Sequence, residues 1–347
     1  MLDHEQVLIR RGPRSGLPMI LAVHSTALGP AAGGLRLWNY PDWRDGLADA
    51  LRLSAAMTLK FAVAGLDSGG GKTVVALPQG ARPDPARRRD LLYDVADMID
   101  SLGGVYAAGP DVGTGPADMA VIGEVTAHVF CRPESLGGSG DSSPHTARGT
   151  VAALRAVTRR LYGDGDLKGR RMAVIGLGHV GEHLCRLLAA EGADLTVTDI
   201  DPAKTRIAAE LGAAWRSPEE IISAEVDVLV PAALGGVLTT GVVRDLRCRA
   251  VVGPANNQLD TDEAGELLRE RGVIWVPDYV VSAGGVINAI TTELYDFDAG
   301  QALARVNAIE RTVADLLEAA EALGVTPARA AQETARRRIR AAMASRG

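Results

Sequence analysis

What this chain has little of narrows its chemistry. Only three cysteines, Cys131, Cys185 and Cys248, are spread over 347 residues, with no C-x-x-C pair. That excludes a disulfide framework and a cysteine-based zinc site, and it fits a reducing cytosol. The six histidines are scattered, so no metal is assigned. Aromatic residues are only 4% of the chain, whereas alanine and glycine are abundant, which lets helices pack closely. Basic charge is not in excess: the net charge is −6, which provides no field for nucleic acid. The runs Arg87-Arg88-Arg89 and Arg336-Arg337-Arg338 lie in helical patterns and read as solvated faces. No apolar run approaches a membrane span, and MLDHEQVLIRR has no signal-peptide core. The expectation is a cytoplasmic protein with a small-molecule partner and no nucleic acid or membrane.

The length suits two α/β domains. Gly137-Gly138-Ser139-Gly140-Asp141-Ser142 is the best linker candidate. The expected boundaries are a substrate and oligomerisation domain over 1–140 and a nucleotide domain over 141–323. The final segment, 324–347, is expected to pack back on the first domain or on a partner. Before the linker, short strands at Glu5–Ile9 and Met19–His24 mix with helices. Leu47, Leu51, Ala55 and Leu59 mark one helical face, and Leu92, Val95, Ala96, Ile99 and Leu102 another. After it, strands read at Met172–Ile175, Leu195–Asp199, Val226–Val230, Ala250–Gly253 and Ile274–Val276, alternating with helices. That is the pattern of a Rossmann-type, doubly wound parallel sheet. Long helices are expected at about 299–323 and 327–344.

Two glycine-rich stretches invite a nucleotide reading. "GLDSGGGKTVVALP" (65–78) ends like a triphosphate loop, but Leu66 stands where that motif needs glycine. Its order is also helix, glycines, strand, whereas a phosphate loop leads from strand into helix. Lys72 therefore needs another role. "VIGLGHVG" (174–181) has the right order, with Gly176-Leu177-Gly178-His179-Val180-Gly181 between a strand and an amphipathic helix. Asp199 ends the next strand and would accept the adenosine ribose hydroxyls, which favours NAD over NADP. His179-Val180-Gly181-Glu182-His183 also fits a zinc-peptidase pattern, but the same turn cannot both ligate metal and grip a pyrophosphate.

With an NAD domain in place, the first half should bind substrate. Lys60, Lys72 and Asp111 are its candidate polar groups. A lysine near another cation has a lowered pKa and becomes usable for acid–base work.

The order and spacing of several stretches resemble the Glu/Leu/Phe/Val family of amino acid dehydrogenases, nearest its leucine, valine and phenylalanine branch. They are "LGPAAGGLR" (28–36), "AMTLK" (56–60), "GGGK" (69–72), "GPDVGT" (109–114), "VIGLGHVG" (174–181), "PAALGG" (231–236), "ANNQL" (255–259) and "PDYVVSAGGVIN" (277–288). The resemblance implies a substrate domain and an NAD domain with a cleft between them, in a homo-oligomer. It implies that Lys72 and Asp111 are catalytic and that Lys60 binds the substrate carboxylate. Gly33 and Gly34 would let backbone approach the amino acid, and Asn257 would hold it. Arg36, Ser142, Thr146, Ile200, Ala232, Ala233, Leu234 and Asn256 match positions lining the cofactor. The glycine-rich segments would serve as flexible connections. Substrate choice would rest on Gly109, Val286 and Ala289. Gly109 and Ala289 suggest room for a ring and favour phenylalanine, while Val286 points to leucine or valine.

Two departures stand out. Ser282 replaces the usual asparagine before Ala-Gly-Gly, and Pro231-Ala232-Ala233 replaces Pro-Cys-Ala. Neither removes a catalytic group. Outside the family, the alternatives are a non-catalytic NAD sensor, which need not keep Lys60, Lys72 and Asp111 together, and a hydroxy-acid dehydrogenase, for which no convincing His–acid pair is found.

Overall fold

The computed structural model describes residues 3–345 apart from residue 234, and the chain forms two compact units. The first comprises the chain up to Asp141, Ala289–Phe297 and the chain from Thr334 onward. The second comprises Ser142–Asn288 and Asp298–Glu333.

In the first unit, β1 (Gln6–Arg11), β2 (Pro18–Ser25), β3 (Ala31–Asn39), β4 (Gly69–Leu77) and β5 (Tyr106–Pro110) form a mixed sheet in the order β1-β2-β4-β3-β5. β2 is antiparallel to both β1 and β4, whereas β3 runs parallel to β4 and β5. Helix α1 (Trp43–Val63) covers one face and α2 (Pro85–Asp100) the other, with α3 (Pro116–Ile122) following β5. The alternation is visible in β2. Ile20 and Ala22 pack with Ala50 of α1, while Met19, Leu21 and Val23 pack with Leu91, Leu92 and Val95 of α2. A strand covered on both faces is apolar throughout, which explains the unbroken run MILAV. Asp42 and Asp84 accept backbone N–H bonds at the starts of α1 and α2.

Gly69, Gly70 and Gly71 lie inside β4 and are buried, which corrects the expectation of a flexible connection. A Cβ on Gly69 would lie 1.9 Å from the Ser25 carbonyl oxygen. On Gly70 it would lie 2.2 Å from the Thr58 backbone nitrogen, and on Gly71 2.5 Å from the Tyr106 ring. The run is glycine because β4 is squeezed between β2, α1 and Tyr106.

In the second unit, α4 (Ser143–Tyr162) leads into β6 (Arg171–Ile175), α5 (His179–Ala190), β7 (Asp194–Thr198), β8 (Ala214–Trp215), β9 (Val228–Pro231), β10 (Ala250–Val251) and β11 (Ile274–Trp275). All strand pairs are parallel, in the order β11-β10-β9-β6-β7-β8. This is the doubly wound order in which the first strand lies centrally, beside the topological switch point.

Residues 289–297, expected with the nucleotide domain, cluster with the first unit. Glu293 is the main reason. Its side chain is 2% exposed, and Oε1 accepts bonds from the Cys131 N–H (2.6 Å), the Ser139 N–H (2.9 Å) and the Ser139 hydroxyl (2.6 Å). Tyr295 adds a 2.7 Å bond between its hydroxyl and that of Ser68. The helix Pro327–Ala344 joins the first unit from Thr334 onward. There Arg338 donates to the Phe61 and Ala62 carbonyls and pairs with Asp67 at 2.7 Å.

Candidate active site

Lys72, Arg36 and Asp49 meet on the face of the first sheet that α1 covers. The Lys72 side chain is 6% exposed, and its Nζ lies 2.8 Å from Asp111 Oδ2. Arg36 Nε donates to that same oxygen at 2.9 Å, and Arg36 Nη1 reaches Asp49 Oδ2 at 2.7 Å. Asp49 also accepts from the Tyr40 hydroxyl (2.7 Å) and pairs with Arg52 (2.6 Å). The Asp111 backbone is fixed as well: its N–H donates to Thr114 Oγ1, which donates to the Leu35 carbonyl of β3.

Burial pushes the Lys72 ammonium below the ordinary lysine value. Asp111 pulls it back up, and Arg36 adds to the lowering. The cation that opposes the Lys72 proton is therefore Arg36, which the sequence had placed against the cofactor. For Asp111, burial works upward, but Lys72 and Arg36 outweigh it and hold the carboxyl below its usual range. A half-buried carboxylate shared by two cations, one of them a buried lysine with a lowered pKa, is equipped to move protons.

The glycines around this cluster have distinct roles. A Cβ on Gly34 would lie 2.7 Å from Asp111 Cβ and 2.9 Å from Lys72 Nζ, so Gly34 keeps space open at the pair. Gly33 points the other way: a Cβ there would lie 1.8 Å from the Gly71 carbonyl oxygen. There it lets β3 pack closely on β4. Gly109 is paired in register with Gly34, so its side-chain position shares the face of the reactive pair. That position is already filled, because a Cβ on Gly109 would lie 2.3 Å from the Phe130 ring. The room for a substrate ring inferred from Gly109 is therefore taken by this chain's own Phe130. Ala289 is 1% exposed and opens no void that solvent reaches. Lys60 is in the last turn of α1, half-buried.

The second unit contains the residues expected at the nucleotide. β6 is followed by Gly176, whose φ of +105° lies in a region open chiefly to glycine. Gly178 caps α5 and has nothing within 4 Å of an added Cβ, whereas a Cβ on Gly181 would lie 2.0 Å from the Gly176 carbonyl oxygen. An open helix N-terminus over a tight turn is what a pyrophosphate needs. Leu177 is buried, whereas His179 is exposed and Val180 half-buried. Asp199 Oδ2 accepts the Leu177 N–H at 2.6 Å, and Oδ1 accepts the Asp201 N–H at 2.9 Å. Lone pairs remain on both oxygens for ribose hydroxyls, and Ile200 beside it is 89% exposed. Ala233 backs the turn, 2.6 Å from a Cβ built on Gly176, and Ala232 is half-buried next to it. Leu234 lies outside the described residues.

Elsewhere in this unit, Ala283-Gly284-Gly285 packs against the start of α4. A Cβ on Gly284 would lie 2.2 Å from the His145 carbonyl oxygen, and one on Gly285 2.5 Å from Thr146 Oγ1. This brings Ser142 and Thr146 next to the segment that holds half-buried Val286. The Ser282 N–H bonds to the Asp278 carbonyl at 2.8 Å. Asn256 is exposed, as is Asn257, which has φ +53° and donates its N–H to the Asp278 carboxylate.

Comparison with known proteins decides the family. Residues 5–128 match the sequence model of the Glu/Leu/Phe/Val dehydrogenase dimerisation domain, and residues 196–347 match that of Glutamate/Leucine/Phenylalanine/Valine dehydrogenase. The chain is 40% identical to a leucine dehydrogenase of Bacillus cereus over 338 residues, covering 97% of this chain and 91% of the relative. It is 39% identical to a valine dehydrogenase of Streptomyces coelicolor, covering 97% and 92%. The chain belongs to the Glu/Leu/Phe/Val dehydrogenase family. It is thus an NAD-dependent oxidoreductase that deaminates an amino acid. Its fold superposes on L-tryptophan dehydrogenase from Nostoc punctiforme with a TM-score of 0.86 at 34% identity, covering 98% of this chain and 97% of the other. Residues 145–244 also match the NAD-binding domain model of D-isomer-specific 2-hydroxyacid dehydrogenases, a likeness limited to the nucleotide half.

Three residues near the Lys72–Asp111 cluster escaped the sequence reading: Asp49, Tyr40 and Phe130. No spacing marks them. Asp49 shares α1 with Leu47 and Leu51 but reaches Arg36 only because α1 lies across the face of β3 that carries Arg36. Phe130 reaches Gly109 because Ala108 and Val129 form an isolated bridge.

Proposed function

We propose that Lys72 and Asp111 carry the acid–base chemistry of deaminating a hydrophobic L-amino acid, with leucine- and valine-sized side chains preferred to phenylalanine. The observation that carries the reading is the buried Lys72 Nζ, 2.8 Å from a carboxylate oxygen that Arg36 also holds. NAD⁺, when bound, supplies the acceptor for the hydride that leaves the substrate α-carbon. Lys60 binds the substrate carboxylate and Asn257 helps hold the amino acid, with Asn256 nearer the nicotinamide. Loss of hydride leaves an imino acid, and water must add to its carbon. Neutral Lys72 takes one proton from that water as the C–O bond forms, then holds the carbinolamine oxygen as an ammonium. Asp111 takes a proton from the substrate ammonium before the hydride leaves and returns it to the carbinolamine nitrogen, which departs as ammonia while the hydroxyl proton is lost to solvent and the 2-oxo acid forms. Overall, amino acid, NAD⁺ and water give 2-oxo acid, ammonium, NADH and a proton.

Phe130 supports the aliphatic preference, because its ring fills the space beside Gly109 that an aromatic substrate would use. The leucine and valine dehydrogenases at 40% and 39% identity favour the same choice. One methylene in a hydrophobic pocket changes discrimination by about 1–3 kcal/mol, so activity on neighbouring side chains is expected. A panel of leucine, valine and phenylalanine, followed by NADH absorbance, should give the highest kcat/KM for an aliphatic substrate. Phe130→Ala should raise the phenylalanine-to-valine ratio of kcat/KM by about tenfold or more. An unchanged ratio in a folded variant, or an unmodified enzyme that already prefers phenylalanine, would remove Phe130 as the selector.

Asp199 supports NAD over NADP, since its carboxylate would repel a 2′-phosphate. Asp199→Ser should narrow the gap in kcat/KM between the two cofactors, and it should also raise the KM for NAD⁺ because the Leu177 N–H loses its acceptor. Comparable use of both cofactors by the unmodified enzyme would contradict the assignment.

A homo-oligomer is supported by the dimerisation-domain match and by β1, an edge strand with Ile9 47% exposed. Light scattering of the purified chain would test it. A cytoplasmic location fits the three cysteines, all buried and unpaired. Among the described residues, no helix is long and apolar enough to cross a membrane.

A further inference from the structure

Arg36, Asp49 and Tyr40 form a second layer behind the reactive pair, and the mechanism above does not use it. We propose that Arg36, held in place by Asp49 and Tyr40, is a positioning residue that fixes Asp111 against Lys72 and keeps that carboxylate in place while the two groups exchange protons. The proposal rests on the assignment of Lys72 and Asp111, and it gives Arg36 a role different from lining the cofactor.

The geometry supports it in three ways. Arg36 spends Nε on Asp111 Oδ2 and Nη1 on Asp49 Oδ2, so its planar fork bridges two carboxylates. Asp49 Oδ2 also takes the Tyr40 hydroxyl and Oδ1 takes Arg52, which anchors the far end of the bridge. The guanidinium and both carboxylates are largely removed from solvent, with side-chain exposures of 20% for Arg36, 16% for Asp49 and 23% for Asp111. A carboxylate bound by Lys72 alone could follow the lysine as it changes charge. Bound by Arg36 as well, it keeps its position when Lys72 becomes neutral.

The neighbouring elements carry the following charged and titratable groups, of which Asp111, Arg36 and Asp49 act on Lys72. β3 supplies Arg36, and Tyr40 follows it. α1 supplies Asp49, Arg52 and Lys60. β5 supplies buried Tyr106, with Asp111 just beyond. β2 supplies His24, whose ring bonds to Thr58 of α1 at 2.8 Å. Removing the Arg36 charge should make Lys72 harder to deprotonate, and removing the Asp49 charge should make it easier. Both directions follow the Coulombic influence of the two groups on Lys72.

The test is the pH dependence of kcat/KM for oxidative deamination by the intact enzyme carrying Arg36→Gln, Arg36→Lys, Asp49→Asn or Tyr40→Phe. Arg36→Gln should lower kcat about 10- to 100-fold, leave the KM for NAD⁺ within about threefold, and move the alkaline limb to higher pH by about 0.5–1 unit. Asp49→Asn should move the limb to lower pH, the opposite direction, with a smaller loss of kcat. Arg36→Lys should restore the limb's position without the full kcat, because an ammonium cannot bridge both carboxylates. Tyr40→Phe should leave the limb in place and cost a few-fold in kcat. Limb shifts that are absent, or that have the same sign in Arg36→Gln and Asp49→Asn, would overturn the proposal. So would a loss confined to the KM for NAD⁺, which would return Arg36 to the cofactor. Should an Arg36 variant fail to fold, the sign of the Asp49→Asn shift decides. If the limb also survives in Lys72→Ala, the parent assignment has failed. If Lys72→Ala abolishes it while the Arg36 and Asp49 variants leave it unmoved, only the positioning role has failed.

Discussion

Lys72→Ala should fold, bind NADH normally and lose on the order of 10²–10⁴ in turnover at saturating substrate, the usual cost of removing a positioned acid–base group. The size of the effect follows from the site. Lys72 is buried, its proton is opposed by burial and by Arg36, and its partner Asp111 is locked to β3 through Thr114. Arg36, the other cation on Asp111, stays protonated at any working pH and cannot take over as a base. Binding of NADH should persist because the glycine turn and Asp199 belong to the other compact unit. NADH fluorescence titration beside a saturated rate measurement checks both halves. Near-normal turnover would show that the proton is handled elsewhere, and loss of NADH binding would show that the substitution damages more than chemistry.

Gly33→Ala should be the most destabilising of the glycine-to-alanine changes in β3 and β4. The new Cβ would lie 1.8 Å from the Gly71 carbonyl oxygen, a backbone atom in the neighbouring buried strand. A flexible side chain could swing away, but β4 cannot move without disturbing β2, α1 and Tyr106, which already hold Gly69, Gly70 and Gly71. Overpacking of a rigid core costs typically about 1–3 kcal/mol and sometimes more, and this contact belongs at the upper end. In a protein of this size about 3 kcal/mol lowers Tm by roughly 4 °C. Gly241→Ala is the natural comparison. It lies in the helix Thr240–Asp245, where an added Cβ meets only Thr239 Oγ1 at 3.6 Å, so Tm should hold or rise slightly. Calorimetry of both variants would decide, and a Gly33→Ala protein as stable as the parent would show that β3 and β4 are not packed as described.

Much of this was legible in the sequence, for reasons that differ between the two units. The nucleotide half announces itself because each functional part is local. Gly176, Gly178 and Gly181 act within one turn, and Asp199 ends the very next strand. In the first unit the sequence singled out Lys72 and Asp111, which the fold brings together. Lys72 stood out because a lysine between glycines and an apolar strand has no solubilising purpose there. The roles of its neighbours depended on the strand order β2-β4-β3-β5, which no local pattern reveals. The parity of β3 sends Gly34 and Arg36 to the Lys72 face and Gly33 to the opposite one. That alternation, and with it the contact of Arg36 with Asp111 and Asp49, cannot be read from "GGLR" alone. Gly109 misled for a related reason: the missing side chain is visible in sequence, but the ring of Phe130 that fills the space comes from 21 residues away.

The most direct test of the account is the pH dependence of oxidative deamination in the unmodified enzyme and in Lys72→Ala, with α-deuterated substrate used to select conditions in which hydride transfer limits the rate. The unmodified enzyme should gain rate with rising pH along a limb centred below the ordinary lysine value, because Lys72 must lose its proton to accept one from water. The residual activity of Lys72→Ala should lack that limb. A limb of the same position and steepness in both proteins would contradict the assignment of Lys72 as the group whose proton governs the reaction.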